Sequence, residues 1–147
     1  MRVKVIKSHF VSAAILLALL LLAGCSEGGG EETIKLFPEN ELPEEVQSAP
    51  QAVKEAYQFA AANPEIIQHL PCYCGCGSMG HTSNYSCYVS GVDQEGNLTF
   101  DNHALGCSIC VDITQDAIRM TTQGNSVDEI KAYVDAAYSK YGSTNMP

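Results

Sequence analysis

Pro71-Cys72-Tyr73-Cys74-Gly75-Cys76-Gly77 places three thiols within five residues, and this density of sulfur constrains the fold more than any other feature of the chain. In an extended strand alternate side chains share a face and stand about 6.6 Å apart, given a rise of roughly 3.3 Å per residue. Two sulfurs on one tetrahedral ion, with metal–sulfur bonds of about 2.3 Å, are only about 3.8 Å apart. The run must curl if its thiols are to act together. Gly75 and Gly77 are the residues expected to take the positive φ that such a curl requires.

More donors follow. His81, Cys87, His103 and the pair Cys107-Ser108-Ile109-Cys110 put six of the seven cysteines between positions 72 and 110. Thiolate sulfur is soft and imidazole nitrogen intermediate, so these donors suit zinc or copper, whereas calcium and magnesium need clustered oxygens. Cys107 and Cys110 have the spacing of a zinc half-site, and a predicted helix start at Gly106 or Cys107 should favour their thiolates through the positive end of the helix dipole. His103, four residues upstream of Cys107, can close a site with them. Ranked by spacing, Cys72, Cys74, Cys107 and Cys110 come first, Cys76 and His103 next, and His81 and Cys87 last. Eight donors suffice for two four-coordinate sites, or for one site with the remaining thiols in disulfides, and the sequence leaves both open. The thioethers of Met79 and Met120 would favour Cu(I), but Met120 lies on the apolar face of its helix and reads as core. His69 carries no functional weight, and Tyr73, Tyr85 and Tyr88 read as walls of the cluster.

The first residues combine Arg2, Lys4 and Lys7, an apolar run from Val11 to Leu22, and Leu22-Ala23-Gly24-Cys25. This is the layout of an export signal, and the apolar run is short for a membrane span. Leu-Ala-Gly-Cys resembles a bacterial lipobox. The resemblance implies that residues 1–24 are a signal peptide and that Cys25 carries a lipid anchoring the chain to the extracytoplasmic face of the cell membrane. Without Arg2, Lys4 and Lys7 the chain keeps five basic residues against 17 acidic ones, a formal net charge of −12. That surface repels nucleic acid.

Residues 25–48, with Gly28-Gly29-Gly30, four glutamates by position 39 and prolines at 38 and 43, read as the lipidated cysteine followed by a flexible tether of low order. Residues 49–147 form the expected Cys/His-rich domain. Val53, Ala56, Tyr57 and Ala60 predict an amphipathic helix from Pro50 to Asn63, and Pro64 opens a short second helix that Pro71 stops. Apolar positions 109, 113, 117 and 120 predict a helix ending near Gly124. Ser126 with Glu129 predicts a capping box for a last helix buried along Val127, Ile130, Val134, Ala137 or Tyr138, and Tyr141. Between the Pro64 helix and the one that starts near Gly106, Ser86–Val89 and Leu98–Phe100 flank Asp93-Gln94-Glu95-Gly96-Asn97 as one short β-hairpin. The fold class is mainly α: a small helical domain with an irregular Cys-rich loop and room for that hairpin.

Other chemistries fit less well. Six cysteines in an exported domain can pair as three disulfides, but the crowding at 72–76 and the nearby histidines are not needed for that. Cys107 and Cys110 imitate a thiol-disulfide exchange motif without a preceding strand–helix–strand frame, and Val111 stands where attachment of c-type haem requires histidine. No phosphate-cradling loop or nucleophile elbow is present, so a binding role is expected ahead of an enzymatic one.

Pro71-Cys72-Tyr73-Cys74-Gly75-Cys76, then Gly77, Met79-Gly80-His81, Cys87, His103 and Cys107-x-x-Cys110, resembles the bacterial lipoproteins named for their PCYCGC motif. The likeness covers about residues 50–141 and the lipobox. It implies a membrane-anchored extracytoplasmic domain whose distinguishing residues are cysteine and histidine, and it implies no particular activity or protein partner. The combined expectation is a protein that binds zinc or copper through Cys72, Cys74, Cys76, Cys107, Cys110, His103, His81 and Cys87. The alternatives are thiol-disulfide exchange through Cys107 and Cys110, or an interaction domain stabilised by disulfides or zinc.

Overall fold

The structure is a computed structural model that describes residues 33–147; the expected signal peptide and Cys25 lie outside the described residues. Proline sets the entry of the early helices. Pro43 and Pro50 stand at the N-caps of α1 (Glu44–Gln47) and α2 (Gln51–Ala62), and Pro64 is the first residue of α3 (Pro64–Ile67). Its fixed φ suits the first turn and its missing N–H costs nothing there. Helix α2 buries Ala56, Tyr57, Phe59 and Ala60. Leu70 is buried beyond α3, and the cysteine run follows.

The hairpin forms between β1 (Val89–Val92) and β2 (Leu98–Phe100), antiparallel with Val89 opposite Phe100 and Val92 opposite Leu98. Its first strand starts at Val89 because Ser86 and Cys87 belong to a 3-10 turn, Tyr85–Cys87. Asp93 organises the loop by accepting from the backbone N–H of Glu95 at 2.9 Å and of Asn97 at 2.8 Å.

Helix α4 (Ser108–Thr122) is the central element, packed against both α2 and α5 (Val127–Tyr138). It buries Cys110, Val111, Ile113, Thr114, Ala117 and Met120, so Met120 is core as its periodicity predicts. Gly124, at φ 78°, ends it in a Schellman arrangement: its N–H donates to the Thr121 carbonyl at 2.9 Å and the Asn125 N–H to the Met120 carbonyl at 3.0 Å. The Ser126–Glu129 capping box is formed. Ile130, Val134 and Tyr138 are buried as expected, whereas Tyr141 is exposed because the helix stops at Tyr138 and a 3-10 turn swings the chain out of register. Among the described residues no helix is long and apolar enough to cross a membrane.

The stretch expected to be tether is ordered where it is described. Asn63 Nδ2 donates to the Lys35 carbonyl at 2.9 Å, Phe37 and Gln58 exchange hydrogen bonds of 3.0 and 2.8 Å, and the Phe37 and Phe100 rings meet edge to face. Leu42 and Val46 are fully buried, each worth about 1.5–3 kcal/mol. The prolines at 38 and 43, which read as tether punctuation, instead place short helical turns that press these side chains onto α2. The packed body therefore begins well before position 49.

Candidate metal centre

Three elements deliver the donors. The cysteine run leaves Pro71 and turns at Gly75, whose φ is 88°; the second left-handed glycine is Gly80, at 90°, while Gly77 lies inside the 3-10 turn Cys76–Met79 and does not take the positive φ expected of it. The turn Tyr85–Cys87 brings Cys87 beneath the run, and the 3-10 turn His103–Leu105 with the start of α4 brings His103, Cys107 and Cys110 over it.

The eight donors expected from the sequence all converge. Cys72 Sγ lies 3.2 Å from Cys110 Sγ and 3.4 Å from Cys74 Sγ; Cys74 Sγ is 3.7 Å from Cys110 Sγ and 3.4 Å from His103 Nε2. Cys107 and Cys110 sulfurs stand 3.3 Å apart, and those of Cys76 and Cys87 3.7 Å apart. All six thiols are free, with separations near the roughly 3.8 Å of sulfurs sharing a tetrahedral ion and well beyond the roughly 2.05 Å of a disulfide bond. Two sets of four have every ligand atom within 4.8 Å of the others: Cys74, His103, Cys107 and Cys110, and Cys76, His81, Cys87 and His103. The triads Cys72–Cys74–Cys76 and Cys72–Cys87–Cys110 meet the same limit. The Cys/His cluster can thus hold a metal ion. His81 and Cys87, ranked last by spacing, are buried within it, because the loop between 77 and 87 folds back rather than running away.

Hydrogen bonds from the Cys110 and Cys87 thiols hold the Cys72 thiol well below its ordinary pKa, against the opposing effect of burial. The Cys110 thiol is pushed up, chiefly by its hydrogen bond to Cys72. This reverses the expectation that the helix start would favour a thiolate at Cys110: neighbouring sulfur in a dry site outweighs the partial charge of a helix end. Burial likewise raises Cys74 and Cys76.

Several supporting residues gave no signal in the sequence. Asp101 sits between the histidines, accepting from the His103 backbone N–H through Oδ1 at 2.8 Å and standing 3.6 Å from His81 Nε2 through Oδ2. Tyr57 holds it from α2, donating to the Asp101 carbonyl at 2.7 Å. A carboxylate beside a ring nitrogen is the pairing that orients imidazole ligands toward metals, although at 3.6 Å this one stands beyond hydrogen-bond length. Beneath α4, Tyr88 and Thr114 donate to the Cys110 carbonyl at 2.8 and 3.2 Å, and Asn84 donates to Thr114 Oγ1 at 2.8 Å. Tyr73, Tyr85 and Tyr88 do wall the cluster, all three buried. His69 is exposed on α3's flank and takes no part, and Met79 projects into solvent.

The family described as a protein of unknown function with PCYCGC motif matches residues 14–147 of the chain. No curated protein and no solved structure matches it.

Proposed function

The chain belongs to the PCYCGC-motif family, and we propose that it is a lipid-anchored protein of the extracytoplasmic face of the cell membrane that binds a soft transition metal, zinc or Cu(I), in its Cys/His cluster. The observation that carries this reading is the convergence of six free thiols and two imidazoles from separate stretches at ligand spacing. An apolar core has no use for such a set, and burying thiols beside a thiolate is unfavourable unless a cation completes it. The donors exclude hard ions and are common to zinc and copper. The anchor rests on Leu22-Ala23-Gly24-Cys25 behind its basic and apolar flank. Tethered on the outer face, such a protein serves to store, hand over or sequester the ion.

Thiol-disulfide exchange is the second reading, favoured by the 3.3 Å separation of Cys107 and Cys110 and by the partial exposure of Cys107. It is weakened by where the thiolate lies: Cys72 is fully buried, and an exchange nucleophile needs access to its partner.

The test is the metal content of the detergent-solubilised full chain prepared without chelators, read by elemental analysis together with free-thiol counting. Bound zinc or copper with the six thiols reduced supports metal binding. Metal-free protein with oxidised thiols defeats it, and a Cys107–Cys110 disulfide reducible near the glutathione potential would put exchange in its place.

A further inference from the structure

We propose that the cluster is a binuclear centre, two ions in adjoining pockets joined by the Cys72 sulfur. This rests on the metal-binding reading above and adds a second site, its ligands and the bridge.

The two four-donor sets share His103 alone. A neutral imidazole has one free ring lone pair and so binds one ion, and His103 Nε2 lies 3.4 Å from Cys74 Sγ, so His103 is assigned with Cys74, Cys107 and Cys110. That first pocket offers four ligands of its own, the number a structural zinc takes, and a shared fifth sulfur would expand its ion to the five-coordination that zinc also accepts. An ion there leaves Cys76, Cys87 and His81 without a role, although all three are buried. His81 is the telling member. Its Nε2 faces the Asp101 carboxylate, while its Nδ1 is buried with no hydrogen-bond partner, an unfavourable state for a ring nitrogen. A ring nitrogen of His81 lies within 4.8 Å of the Cys76 and Cys87 sulfurs, so these three buried residues can hold an ion together.

The second pocket then has three ligands and needs a fourth. Cys72 supplies it, lying within 4.8 Å of both Cys76 and Cys87. It also lies 3.2 Å from Cys110 and 3.4 Å from Cys74, both ligands of the first pocket. A thiolate has lone pairs enough for two soft cations, and a shared anion between them reduces their repulsion. Two divalent ions would bring the six thiolates within two charges of neutrality. Each pocket has its own approach from solvent: one surface cavity is lined by Met79, His81 and Asp101, and another by Gly106, Cys107 and Ser108.

The test is an anaerobic titration of the reduced, detergent-solubilised full chain with Cd(II) enriched in cadmium-113. Two equivalents should bind and give two cadmium resonances, each split by the other through the shared sulfur. His81→Ala combined with Cys87→Ser should leave one equivalent, as should His103→Ala combined with Cys107→Ser. Cys72→Ser should weaken both ions by about tenfold or more and abolish the splitting. Helical circular dichroism checks each variant, and the splitting in the unaltered chain needs no variant. Saturation at one equivalent overturns the binuclear centre and leaves metal binding intact. Two unsplit resonances overturn the bridge. No cadmium bound by the unaltered chain overturns the metal reading itself.

Discussion

Asn145 clamps the peptide of Cys72 from both sides: its Oδ1 accepts from the Cys72 N–H at 2.7 Å, and its own backbone N–H donates to the Cys72 carbonyl at 3.1 Å. Its Nδ2 also donates to the Ser83 carbonyl at 3.1 Å, tying the cysteine run to the loop that carries His81. A residue seventy positions along the chain thus sets the place of the most central sulfur. Asn145→Ala strips a buried N–H of its partner and should cost about 1–3 kcal/mol in urea unfolding. It should also speed the loss of bound metal to a competing chelator, and an unchanged release rate would show that the clamp is not coupled to the centre.

Asp101 should matter through the two histidines rather than through stability alone. Asp101→Asn keeps the shape and removes the charge opposite His81 Nε2, so metal affinity should fall by about 10- to 100-fold while helical content holds. Competition with a chromophoric chelator measures it, and equal affinity would remove Asp101 from the centre.

The metal-free chain should lose stability in alkali. Burial pushes the Cys74 and Cys76 thiols up, and hydrogen bonding to Cys72 does so for Cys110, so folded they keep protons that the unfolded chain sheds near the ordinary thiol value of about 8.5. Stability from these raised groups is complete below that value and drains away as pH rises through and above it. Cys72, depressed, works in the opposite sense: its contribution grows as pH rises toward about 8.5 and is complete and constant above it. Urea midpoints of the reduced, metal-free chain should therefore fall between about pH 8 and pH 10, and those of the metal-loaded chain should fall less because its thiols are already deprotonated.

Ser126→Ala should act on the fold and leave the centre alone. It removes the hydroxyl that caps α5 and should cost about 1 kcal/mol in unfolding free energy. Metal stoichiometry should not change, since Ser126 contacts only Glu129 in the capping box. A loss of metal would mean that α5 positions the donors more directly than its contacts imply.

Cys25→Ser tests the anchor. The altered chain should leave the membrane fraction or remain unprocessed, whereas the unaltered chain should incorporate labelled fatty acid and partition into detergent. Equal distribution of the two chains would defeat the lipidation reading.

What could be read in advance was whatever local rules govern. Pro64 at a helix start, Gly124 after a helix end and the Ser126–Glu129 pair act over one turn of chain, so composition marks them and the structure places them as expected. The hairpin around Asp93 and the buried face of α4 are local in the same sense, and so is the alternation that put donors at 72, 74 and 76. Long-range packing was less visible. Leu42 and Val46 sit among prolines and glutamates that suggest a tether, and only the groove offered by α2 makes them core. Gly75 rather than Gly77 takes the left-handed turn because the following residues wind into a 3-10 helix, a choice the sequence leaves open. Cys87 and His81 looked remote because separation along a chain says little once a loop folds back on itself.

The chain's order of residues decided the chemistry on offer, since side-chain identity alone makes sulfur soft, imidazole intermediate and the surface acidic. Tertiary structure decided how those donors are shared out: Asn145 and Asp101, both distant from the cysteine run in sequence, hold the Cys72 peptide and face His81 Nε2, and His81 Nδ1 is left without a partner. The reason is physical. A metal's preference is a property of atoms, but coordination needs atoms from separate segments held a few ångströms apart, and only the packing of the whole body holds them there.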